Sequence, residues 1–300
     1  MCKKNKQMQL LIYILIYPIL WIISILPFPI FYLLSDFVYY LTYYVIGYRK
    51  KVVRENIQLA LPHLSDKERL IIEKKFYSHM CDMFLEMIKT ISISQKEIEK
   101  RYTFSNLDVY LELEKKNKSI ALLCAHYASY EWAVSMNFHI NHKGFGIYKK
   151  LANPYFDKLV KKIRSKFRSE LITTRETIST IVKNYKNKTL SLYGFASDQS
   201  PKPSAAFHWA DFMGHYVPVH TGAEMLAKRF DMNVIFLQTR KIKRGYYQAS
   251  FQVLSEDAKS VPNYDITDTF LKLVEQQIYE APEYYLWTHK RWKHKKEKAL

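Results

Sequence analysis

The sequence predicts an α/β protein with an apolar, helical N-terminal region, and three observations carry that prediction. Short apolar runs at 119–125, 145–148, 190–195, 234–238 and 249–254 are bounded by polar segments, the pattern of strands buried on both faces. Amphipathic stretches at 127–139, 153–168, 175–187, 220–230 and 264–280 fall among them and have helical spacing. Ahead of all of these, residues 10–34 carry no charge, a stretch long enough to cross a bilayer, for which about 20 apolar residues suffice.

The elements follow in chain order. Apart from Asp36 the uncharged stretch runs on to Tyr48, far beyond the apolar core of a cleaved signal, so it is expected to be retained as an anchor over residues 1–48. Pro18, Pro27 and Pro29 interrupt it, and it is crowded with Tyr and Trp, which favour the headgroup level. One spanning helix followed by an interfacial one fits, and so does a re-entrant hairpin. Lys3, Lys4 and Lys6 on one flank and Arg49, Lys50 and Lys51 on the other tilt the choice towards the hairpin, with both flanks cytoplasmic. Next, Ser65 with Glu68 makes a capping box, predicting a long helix up to Thr90. The alternating pattern begins beyond Arg101, and without a repeat or a low-complexity linker residues 49–300 read as one domain.

Composition narrows the chemistry. Lys and Arg number 46 against 28 Asp and Glu, a net charge of +18, in a chain that is 48% hydrophobic and 15% aromatic. That much apolar material excludes disorder, and the charge excess asks for an acidic partner. Only 7 glycines are present, with no GxGxxG, GxxxxGK[ST], GxSxG or HExxH motif, so nucleotide loops, serine-hydrolase elbows and zincin sites lose their signatures. Cys2, Cys81 and Cys124 form no CxxC pair, which points to a reducing compartment without a disulfide or metal framework; Cys124 reads as a small buried hydrophobe.

One constellation has the residues for acid–base work. In 126–131 a histidine is followed five positions later by an acid, His126 and Glu131. As a bare pattern it is weak: 10 histidines and 28 acids in 300 residues yield about one such match by chance, and His63 with Glu68 is a second. Context separates the two. His63 follows leucine and proline and precedes a helix cap, whereas His126 ends a buried run, at the carboxyl end of a strand where open α/β sheets build their sites. Five residues at about 100° each leave the pair misaligned in a regular helix. The pairing therefore needs His126 just before a helix and Glu131 in its first turns, reaching back to one ring nitrogen and raising the basicity of the other. The alternative is a structural histidine. With no serine or cysteine at an elbow, such a base would act on a substrate hydroxyl directly.

His126 and Glu131 match the HxxxxE/D motif of the lysophospholipid acyltransferase superfamily, and the chain resembles its branch of late, secondary lipid A biosynthesis acyltransferases. The resemblance is collinear: residues 49–57 look like the basic segment after the anchor, 148–164 with Asn153, Pro154 and Arg164 like the second block, and Asp198 with Gln199, Phe212 with Gly214, 223–227 and 282–292 like later ones. An EGTRS-type motif is missing, against phosphatidic acid synthesis. The stretch 205–214 departs from the pattern in carrying His208, Trp209 and Asp211, which puts acceptor or chain-length preference in question.

The resemblance implies a central mixed sheet flanked by helices and a cofactor-free, metal-free transfer of an acyl group from an acyl carrier protein thioester to a hydroxyl of a lipid A precursor. His126 would be the base and Glu131 its orienting acid, with Arg164, Asp198 and Asn153 as substrate-binding candidates. Backbone N–H groups opening the helix after His126, or Arg164, would stabilise the oxyanion. Arg164 is otherwise part of a solvated basic helix face, and Asp198 either sits at a strand end near His126 or caps a turn before Pro201. Nine cations in 143–168 and six in 290–298 suit an acidic carrier protein, an anionic lipid acceptor and the cytoplasmic leaflet of a bacterial inner membrane, with the catalytic domain facing the cytoplasm. Another bacterial lyso- or amino-lipid is the alternative acceptor. The rival of another class is a membrane-tethered basic nucleic-acid binder, which leaves His126 at a strand end unexplained.

Overall fold

The structure, a computed structural model, describes residues 3–297; Cys2 and Lys298 lie outside the described residues. Helix α1 (Lys3–Ile25) ends just before Pro27, and α2 (Phe28–Tyr40) opens on Pro29 and widens into a π-helical turn at Leu41–Ile46. Gly47 and Arg49, both left-handed, then bend the chain by 94° into α3 (Lys50–Ala60). The 20-residue stretch Lys6–Ile25 contains an 18-residue window of mean hydropathy 2.2, of which 6% is buried, and is long and apolar enough to cross a membrane. The helix nonetheless rests along the domain: Asn153 donates to Gln9 O (3.0 Å), Tyr13 stacks on Tyr155, and Ser92 donates to Ser24 O.

Helix α4 (Asp66–Lys89) starts at the predicted capping box, with Ser65 Oγ accepting from Glu68 N and the Glu68 carboxylate accepting from Ser65 N. Then come α5 (Gln95–Arg101), β1 (Tyr102–Phe104), α6 (Leu107–Glu114), β2 (Ile120–Cys124), β3 (Lys143–Tyr148), α7 (Pro154–Ser165), β4 (Ser169–Thr173), α8 (Thr177–Lys186) and β5 (Ser191–Ala196). The hairpin β6 (His208–Phe212) and β7 (His215–Val219) precedes α9 (Gly222–Phe230), β8 (Asn233–Lys243), β9 (Tyr246–Ser255) and α10 (Asp265–Glu280).

Seven strands form one sheet in the order β1-β9-β8-β2-β5-β3-β4, parallel except for the antiparallel β8–β9 pair, so the sheet is mixed as expected. Near the sheet's centre α9 packs against β2. Edge strand β4 carries Glu170 paired with Lys143 of β3, a polar edge that left no continuous apolar run to read. The β6–β7 turn puts Met213 and Gly214 at φ 50° and 76°, the all-positive turn of a tight hairpin, with Met where Asn or Asp would have signalled it.

Segment 127–139 corrects the predicted helix. Beyond β2 the chain bends irregularly and coils only at Trp132–Phe138, as 3₁₀-helix. Ala128, fully buried at φ 48°, is the cause: a left-handed residue cannot lie inside a right-handed α-helix, and its N–H donates instead to Tyr284 O (2.9 Å).

Candidate active site

Strands β2 and β5 are parallel neighbours with Cys124 opposite Ala196, and Ser197 N extends the ladder to Cys124 O (3.2 Å). Two residues beyond each strand, His126 and Asp198 emerge side by side. The Asp198 carboxylate lies 2.7 Å from His126 Nδ1 and accepts the His126 backbone N–H at 3.0 Å. Asp198 is 1% exposed, and the His126 ring, a fifth exposed, has Nε2 without a hydrogen-bond partner among the described residues.

The expected partner of His126 is corrected here. Glu131 does not reach back to the imidazole; it pairs with Arg164 of α7, because the Ala128 bend carries it away from a helical first turn. Asp198 takes the orienting position that Glu131 was expected to hold. Arg164, read as either a site residue or a solvated cation, lies inside with its guanidinium on Glu131. Asn153 caps α7, accepting from Tyr155 N (2.9 Å) and donating to Gln9, and does not line the cavity.

The electrostatics follow from this placement. Burial pushes the His126 imidazole down, but the charge and hydrogen bond of Asp198, with Glu131 adding, reverse the balance and raise its pKa above the usual 6.5. Burial likewise works against the Asp198 charge, yet His126 and backbone donors hold its carboxyl below 3.8. Cys124 lines the same cavity with its thiol pushed up to about 12, chiefly by burial, so it is protonated at neutral pH.

The C-terminal segment fixes the loop from behind. Leu286 N donates to His126 O (3.1 Å) and Tyr127 Oη lies 2.8 Å from Ala281 O. The segment is itself held by Asn56, which donates to Trp287 O (2.7 Å) and His289 O (2.6 Å), and by Arg49 on Thr288 O. Arg291, counted from sequence among cations for an acidic partner, is 1% exposed and donates to Ser200 Oγ and Pro218 O. The basic run 143–168 is divided too: Lys143 pairs with Glu170, Lys166 donates to Ile91 O, and Arg164 sits in the site.

A cavity of about 520 Å³ opens at this point. Its polar wall comes from His126, Glu131, Arg164 and His220, and its apolar walls from Leu122, Met136, Leu171, Leu192 and Leu237. His220 and the strand glycines beneath the cavity were not singled out from sequence. A glycine inside an apolar run is the signal that was there to be read. Among the described residues no cluster of three or more His, Cys, Asp or Glu is arranged for a metal. A histidine base backed by a carboxylate, beside an apolar cavity, can activate a hydroxyl against an acyl donor.

The family model for bacterial lipid A biosynthesis acyltransferases matches residues 1–294. The chain belongs to that family. It is 23% identical over 283 residues to the lipid A biosynthesis lauroyltransferase of Escherichia coli (strain K12), covering 93% of this chain and 90% of the relative. It is 19% identical over 286 residues to the lipid A biosynthesis palmitoleoyltransferase of the same strain, covering 92% and 89%, and 22% identical over 161 residues to lipid A biosynthesis acyltransferase 2 of Shigella flexneri, covering 54% and 50%. The protein is therefore an acyltransferase with a lipid acceptor, and the nucleic-acid reading falls. Within this lipid A acyltransferase fold, three separate segments, the loop after β2 with His126 and Glu131, α7 with Arg164 and the loop after β5 with Asp198, meet at one end of the sheet.

Proposed function

We propose that this acyltransferase moves a fatty acyl chain from an acyl carrier protein thioester to a hydroxyl of a lipid A precursor, at a bacterial inner membrane with the catalytic domain on the cytoplasmic side. The observation that carries the mechanism is the His126–Asp198 pair opening onto the apolar-walled cavity.

In this reading His126 Nε2 takes the proton of the acceptor hydroxyl as its oxygen attacks the thioester carbonyl. Asp198 keeps the other proton on Nδ1 and stabilises the imidazolium that forms. Collapse of the tetrahedral intermediate breaks the carbon–sulfur bond, and the imidazolium proton goes to the leaving thiolate. With no α-helix after His126, the oxyanion role passes to Arg164, whose guanidinium offers five N–H donors of which Glu131 engages only part. Glu131 aims that guanidinium. Exposed Ile, Leu and Trp side chains of α1 support the membrane location, and lysines on and before α7 suit an acidic carrier protein.

The test is to supply the purified, detergent-solubilised protein with acyl carrier protein thioester and a lipid A precursor and to weigh the product. An ester heavier than the acceptor by one acyl chain supports the reading. Transfer only from a coenzyme A thioester, or only to another lyso-lipid, would move the donor or the acceptor while keeping the chemistry; no transfer under any pairing would sink it.

A further inference from the structure

Seven glycines serve 300 residues, yet three of them, Gly144, Gly146 and Gly194, stand on one face of two adjacent buried strands. The sheet register lines up Leu122, Gly194, Gly146 and Leu171 in one row across β2, β5, β3 and β4. The two glycines between two leucines leave a trough in the sheet surface that is open over Gly194 and narrowed over Gly146, where Leu171 Cδ2 stands 3.0 Å from the place a Cβ would take; both glycines line the cavity that begins at His126. Glycine weakens a strand interior, so such a pair in the centre of a sheet marks a place where something must approach the backbone closely.

Local packing does not demand Gly194. A Cβ there would find only Phe145 O, at an ordinary 3.7 Å, and would otherwise enter open cavity. One row further from His126 the trough is closed: a Cβ on Gly144 would run into the side-chain amide of Asn137, so that glycine makes room for a plug. Asn137 is 7% exposed, its Nδ2 donates to Val134 O, and its Oδ1 has no hydrogen-bond partner among the described residues.

Resting on the acyl-transfer reading above, we propose that the Gly194–Gly146 trough holds the tail of the chain being transferred and that Asn137 sets its length. The reacting carbonyl must sit beside His126, so the chain attached to it is the one that starts at the head of the trough. The acceptor's own chains enter elsewhere.

The experiment uses the full-length protein in detergent with one acceptor and a graded series of saturated acyl carrier protein thioesters, reading product mass and relative kcat/KM. A methylene gained or lost in an apolar pocket changes discrimination by about tenfold or more. Gly194→Ala, and more strongly Gly194→Val, is expected to move the preferred donor to shorter chains by at least that factor, with the folded yield unchanged. Asn137→Ala is expected to move it to longer ones. Wild-type length preference in Gly194→Val overturns the proposal while leaving the transfer reading intact, and so does a shift that follows acceptor chain length rather than donor length. No transfer by the wild type overturns both.

Discussion

Two buried ion clusters face different fates in this molecule. One is the site, where Asp198 supports His126 and Arg164 supports Glu131. The other ties α2, α4 and the β8–β9 hairpin together. There Asp82 accepts from Ser35 Oγ (2.7 Å) and from Arg244 Nε and Nη2, and Glu86 accepts from Tyr32 Oη and Tyr247 Oη, both at 2.8 Å. Both clusters are buried and both perturb their pKa values; burial pushes the Glu86 carboxyl up to about 7, with Asp82 adding. The difference lies in what is left over. Each oxygen of Asp82 and Glu86 has a donor and none of these residues lines the cavity, whereas His126 has a ring nitrogen to spare on the cavity wall. Perturbed titration alone marks both places; a free acceptor beside a void distinguishes the chemical one.

The sharpest way to break that contrast is to remove one base from each cluster. His126→Ala is expected to cut transfer by about 10²- to 10⁴-fold with the thermal unfolding curve preserved, while Glu86→Gln keeps the rate within a small factor. Comparable losses in both would erase the distinction. Arg244→Ala should do the reverse, costing about 2 kcal/mol in denaturant unfolding and little in rate per folded molecule. That figure lies below the usual penalty for an orphaned buried charge because Arg244 is a third exposed and Lys241 remains 3.6 Å from Asp82.

A smaller effect sharpens the comparison. The fold raises the Glu86 pKa from 4.5 to about 7, so this group's contribution is full below about pH 4.5 and drains away as pH climbs through 7. Glu86→Gln should flatten the stability profile over that window; an unchanged profile would assign the decline to another group. The smallest effect expected is the salt dependence of Lys161→Glu with Lys162→Glu, which should weaken use of the carrier-protein donor more at low than at high ionic strength.

The two clusters also differ in how far sequence reveals them. His126 could be placed because a buried run ends at it, and the long α4 because Ser65 and Glu68 spell its cap. Asp198 lies 72 residues from His126, and only the β2–β5 register joins them, a pairing that no local spacing encodes. Glu131 stood at motif distance and was given the orienting role, since a left-handed alanine at 128 leaves no trace in residue type. Arg291 looked like a surface cation for the same reason: burial is decided by the C-terminal segment folding back over the site. The cluster around Asp82 was invisible, its partners being spread from Tyr32 to Tyr247.

The central claim is that Asp198, not Glu131, makes His126 a base, and the pH dependence of kcat/KM for wild type and Asp198→Asn tests it most directly. A base works deprotonated, so the wild-type acid limb should lie above 6.5, in line with the raised His126 pKa. Without the Asp198 charge, burial prevails, and the limb of Asp198→Asn should move to lower pH while the plateau falls. Superimposable limbs, or a downward shift seen only in Glu131→Gln, would contradict the account.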